Sequence, residues 1–60
     1  MRIEKIIGID GLTLLIYYTD ARCWQFAIIG ENGKFWQPNK IFYTAEAAQR
    51  AGRLWMGYKF

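Results

Sequence analysis

Few side chains in this sequence can do chemistry: one thiol, Cys23; five carboxylates, Glu4, Asp10, Asp20, Glu31 and Glu46; and no histidine. Without an imidazole the chain lacks the side chain that most often serves as a general base near neutral pH. Cys23 has no histidine to take its proton, so it reads as a small buried or half-buried residue rather than a nucleophile. The carboxylates fall mostly in turns or at a helix start, where each has a local role, and none forms an acid–base pair. One thiol and scattered carboxylates give no zinc-type ligand spacing. Gly30 and Gly33 flank a turn and do not form a phosphate-binding loop. The reading is a protein that is not an enzyme, with no catalytic residue, metal, cofactor or small-molecule substrate assigned.

What remains is the chemistry of contact. The chain has 60 residues, 53% of them hydrophobic and 18% aromatic. That is far too apolar for disorder, and it is long enough for one small domain, residues 1–60. A domain this small buries only about 60% of its unfolded surface and needs dense packing or a partner. The single cysteine excludes an internal disulfide. The net charge of +3 permits contact with nucleic acid or an anionic surface without requiring it. No apolar run approaches the roughly 18–20 residues of a membrane span. Glu4, Lys5 and Asp10 interrupt the start of the chain, so no secretory signal is expected, and the lone thiol suits a cytoplasmic setting.

Turn signals divide the chain. Asn32-Gly33 and Asp10-Gly11 are two-residue hairpin signals, because both residue types tolerate the positive φ of a type I′ turn. With Asp20-Ala21-Arg22 as a third connection, strands are expected at about 2–9, 12–19, 23–29 and 34–37. The first turn sets Ile9 against Leu12, Ile7 against Leu14, Lys5 against Ile16 and Ile3 against Tyr18. The next sets Tyr18 against Trp24, Ile16 against Phe26 and Leu14 against Ile28. Pro38, which has no backbone donor, belongs at the end of an edge strand. Thr44 is a good N-cap for a helix from Ala45 to about Met56, with Gly57 as its stop. Ala47, Ala48, Ala51, Leu54, Trp55 and Tyr58 form its apolar stripe, and Ala48, Ala51 and Gly52 allow close approach to the sheet. Glu46 and Arg50 stand in favourable order for a surface pair. Arg50 and Arg53, one turn apart, read as a solvated face in preference to a phosphate site.

The fold class is therefore α+β: an antiparallel sheet of about four strands, built from two hairpins, with one C-terminal helix on one face. Alternation assigns Ile3, Ile7, Leu14, Ile16, Tyr18, Trp24, Phe26, Ile28 and Phe35 to the helix side. The reverse face then carries Arg2, Glu4, Ile6, Thr13, Leu15, Tyr17, Gln25, Ala27, Ile29, Lys34 and Trp36. One helix covers one face, so Leu15, Tyr17, Ile29 and Trp36 are expected side by side in the open, with Lys34 and Arg22 at the rim. Contiguous exposed apolar patches tend to be interaction sites, and Trp36 and Tyr17 are typical anchors. This predicts binding of a protein partner, or self-association, through that face. A Trp36→Ala change is expected to weaken binding with little loss of fold.

The stretches W-Q-F-A-I-I, N-G-K-F-W and F-Y-T-A-E-A-A-Q-R-A, over residues 22–54, resemble DNA-binding domains with a three-stranded sheet and a helix. These are of the ethylene-response-factor and integrase arm-binding types. The same stretch resembles small bacterial strand–strand–helix domains of unknown function. The first resemblance implies DNA or RNA binding through the sheet face, with Lys34, Arg22 and Arg2 neutralising phosphates. Gln25, Ala27 and Ile29 stand where that family would have more basic groups.

Overall fold

The structure is a computed structural model that describes residues 2–59. It contains β1 (Arg2–Ile9), β2 (Leu12–Tyr18), β3 (Trp24–Ile29), β4 (Phe35–Trp36) and α1 (Ala45–Lys59). The strands form one antiparallel sheet in the order β1-β2-β3-β4, with the helix packed on one side. This is the expected α+β architecture.

Three turns set the registers. Asp10 and Gly11 have φ values of 50° and 79°, the type I′ geometry whose twist matches that of the strands it joins. Ile9 accordingly faces Leu12, Ile7 faces Leu14 and Lys5 faces Ile16. Beyond Lys5 the register shifts at a β-bulge, so that Ile3 faces Tyr17 and Arg2 faces Tyr18. The expected pairing of Ile3 with Tyr18 is thereby corrected. One extra residue in β1 moves Ile3 to the reverse face and Arg2 to the helix side. There the Arg2 guanidinium lies 5.7 Å from the centre of the Tyr18 ring.

The β2–β3 loop turns over Asp20-Ala21, where the Arg22 N–H donates to the Thr19 carbonyl at 3.2 Å. Arg22 then takes a left-handed φ of 61°. The β3–β4 loop repeats this form. The Gly33 N–H donates to the Gly30 carbonyl at 3.1 Å, and Gly33 has φ 81°. Asn32 does not have positive φ. The connection is thus a three-residue loop with a left-handed third position, and Asn32-Gly33 is no two-residue turn. Ile29 faces Phe35 and Ile28 faces Trp36, one position away from the pairing a two-residue Asn32-Gly33 turn would give. That single step exchanges the two aromatic residues between the faces. Trp36 lies under the helix, and Phe35 takes its place on the reverse face.

The core collects Leu14, Ile16, Phe26 and Ile28, fully buried from β2 and β3, with Ala48 and Met56 from the helix. Burying each large side chain contributes roughly 1.5–3 kcal/mol. Gly52 lets the helix lie close on the sheet. A Cβ there would stand 2.6 Å from Leu14 Cδ1 and 3.3 Å from Phe26 Cδ1. Thr44 caps the helix as expected, its Oγ1 accepting from the Ala47 N–H at 3.0 Å. Two expectations for the helix are corrected. It continues through Gly57 to Lys59, since glycine lowers helix propensity without forcing a stop. Leu54 is 71% exposed, because the buried stripe runs through Ala48, Gly52 and Met56. The side chain of Tyr58 lies outside the described residues.

Candidate functional site

The helix packs against β2 and β3, and among the described residues no helix or strand packs on the opposite side of the sheet. Along it the registers place Ile3 and Ile6 from β1, Leu15 and Tyr17 from β2, Ala27 and Ile29 from β3, and Phe35 from β4. Ile3, Ile6 and Phe35 are 48%, 67% and 58% exposed. Leu15 and Ile29 are half-buried between them. Ala27 is buried despite its position on this face, and its small side chain makes a low floor between taller neighbours. The result is an apolar groove lined by Ile3, Leu15, Tyr17, Ala27, Phe35 and Gln37.

A chain of polar contacts closes one end of the groove. The Gln37 Nε2 donates to the Tyr17 hydroxyl. That hydroxyl donates to Gln25 Oε1 at 3.3 Å, and Gln25 Nε2 donates to the Lys40 carbonyl at 3.3 Å. The segment after β4 thus runs past one end of the groove before Phe42 rejoins the edge of β3 as an antiparallel bridge to Trp24. Burial pushes the Tyr17 phenol above its ordinary pKa, and the hydrogen bond from Gln37 opposes that rise. A desolvated phenol is costly to ionise.

The six residues expected to bind a partner meet different fates. Leu15 and Ile29 lie on the uncovered face at its half-buried level. Tyr17 is on that face but only 6% exposed, so it is a floor residue and not the expected open anchor. Trp36 is corrected outright: its ring lies 6.0 Å from Phe26 and 4.7 Å from Trp55, on the helix side. Lys34 is exposed at the end of the β3–β4 loop, before the first registered pair of β4. Arg22 sits in the β2–β3 loop and shares a depression with Arg2, Tyr18, Thr19 and Asp20, away from Phe35. Ile3, Ile6 and Phe35 are the exposed members that the sequence reading left out of the site. Ile6 was legible by alternation, whereas Ile3 and Phe35 were hidden by the bulge and the loop length.

This face has no strand charge from β2, β3 or β4, whose sequences contain none. Arg2 and Lys5 of β1 pair with Tyr18 and Ile16, both helix-side residues. Among the described residues no three Cys, Asp or Glu side chains converge into a metal-binding group. Cys23 is buried, with its Sγ 3.1 Å from Thr19 Oγ1. Among the described residues no helix is long and apolar enough to cross a membrane. No family model, curated protein or solved structure matches this chain.

Proposed function

We propose that this protein is a non-catalytic interaction module that associates with a second copy of itself through the uncovered sheet face. The observation that carries the reading is the exposure of Ile3, Ile6 and Phe35 around a groove floored by Ala27. A protruding phenyl beside an apolar hollow is self-complementary: under a two-fold axis each Phe35 can enter the hollow of the other copy. The lack of strand charges on β2–β4 favours the same occupant, because those parts of two identical faces then meet without like-charge repulsion. The size is also adequate. The molecule measures 30 × 19 × 18 Å, so two such faces bury roughly 1,000 Å² together, the lower end for a specific interface.

A different protein partner is the neighbouring reading, drawing on the same apolar contacts. Nucleic acid on this face is less well supported, because Arg2, expected at its rim, lies on the helix side and Arg22 lies in the β2–β3 loop away from Phe35. A cytoplasmic, reducing setting accords with the lone buried thiol. The test is a concentration series of amide correlation spectra by NMR. The reading predicts shifts concentrated at Ile3, Ile6, Leu15 and Phe35 as concentration rises. Shifts confined to α1, or none at all, would count against it.

A further inference from the structure

A helix with its side chains is about 10–12 Å across, whereas strands lie about 4.8 Å apart. One helix therefore covers about two strands, here β2 and β3; on that side of β1, Ile7 and Ile9 reach the core, whereas Arg2 and Lys5 are left exposed. A shallow groove runs between β1 and α1, lined by Lys5, Glu46, Gln49, Arg50 and Arg53. Lys5 of β1 meets Arg50 and Arg53 of the distant helix there, three cations against the one carboxylate of Glu46. The β1 register turns Lys5 towards the helix, and its Nζ donates to Gln49 Oε1 at 3.2 Å. Arg50 and Arg53 are exposed, and among the described residues no ion pair engages either. Arg2, three residues from Lys5, opens onto the same side of β1.

We propose that this β1–α1 groove binds the phosphodiester backbone of a nucleic acid. Guanidinium groups form forked, charge-assisted hydrogen bonds with phosphate oxygens, and a lysine ammonium adds a point charge. The cations line a shallow groove between β1 and α1, a shape that a strand of phosphates can follow. A flat membrane surface matches a groove less closely. No aromatic ring lines the groove, so the contacts are to backbone and carry no base reading. The site is separate from the uncovered sheet face and does not depend on self-association.

The test is fluorescence anisotropy with a labelled 20-nucleotide DNA, single-stranded and as a duplex, over a salt series. The wild-type protein binds at low salt and loses affinity as salt rises. The K5Q/R50Q/R53Q variant binds at least about tenfold more weakly, and its duplex salt slope is shallower by about 2–3. The double variant R50Q/R53Q, which leaves the Lys5–Gln49 contact in place, shows an intermediate loss and keeps the wild-type far-UV circular dichroism. A Phe35→Asp variant binds DNA as the wild type does. Absence of DNA binding at low salt would overturn the proposal. So would binding indifferent to these substitutions, or capture by anionic lipid vesicles with none by DNA.

Discussion

The rings of Trp36 and Trp55 meet at 4.7 Å between centroids, inclined at 46°. This contact joins the last strand to the helix and fixes which way β4 faces. With Trp36 held against Trp55 and Phe26, alternation leaves Phe35 on the outside. The division between a packed and an exposed aromatic residue therefore depends on one residue of loop length.

That division is open to mutation. Trp36→Ala should destabilise the fold by about 2–4 kcal/mol, because it removes a large ring packed against two others. Phe35→Ala should change stability by less than about 1 kcal/mol, since the ring is more than half exposed. Urea unfolding midpoints for the two variants check the pair, and equal losses would mean that both rings are packed.

The helix–sheet approach depends on Gly52. Alanine there gains about 1 kcal/mol of helix propensity, but its Cβ meets Leu14 Cδ1 at 2.6 Å, inside a fully buried cluster. Overpacking of this kind costs about 1–3 kcal/mol. Gly52→Ala is thus expected to lower the thermal midpoint, whereas Gly57→Ala, with nothing within 4 Å, should raise it. Differential scanning calorimetry distinguishes the two.

The paired loops offer a reciprocal exchange. Arg22 and Gly33 occupy the same left-handed position, with φ values of 61° and 81°. A side chain there costs about 1–2 kcal/mol, partly offset because glycine loosens the unfolded chain. Arg22→Gly should stabilise the protein by about 0.5–1 kcal/mol and Gly33→Ala should destabilise it by a similar amount. Denaturant titration measures both.

The Tyr17 phenol makes stability sensitive to alkali. Its folded pKa lies above the ordinary value of 10.0, mainly through burial. The unfolded chain therefore releases this proton first, and the contribution is complete below pH 10 and lost as pH rises through the folded value. Tyr17→Phe should flatten this fall in a comparison of unfolding midpoints from pH 8 to 11. An unchanged slope would mean that the phenol is already well solvated.

Much of the fold was legible in the residues. Asp10-Gly11 fixed one hairpin, Thr44 marked the helix start, and Leu14, Ile16, Phe26 and Ile28 were placed in the core by alternation alone. The candidate site was less so. Asn32-Gly33 fits two loop forms that differ by one residue, and only tertiary packing of Trp36 on Trp55 selects between them. The bulge in β1 has no local signal, because Ile3, Glu4 and Lys5 are all acceptable strand residues. Gln37 gave no hint that it would reach back to Tyr17, since that contact depends on the path of the chain after Pro38.

Sedimentation equilibrium of the wild-type protein and of Phe35→Asp, over a concentration series at low and high salt, tests the central claim most directly. Self-association through the uncovered sheet face predicts a wild-type monomer–dimer equilibrium that hardly responds to salt. It also predicts a Phe35→Asp variant that is folded and monomeric. A wild-type protein that stays monomeric throughout, or a dimer that survives the substitution, would contradict it.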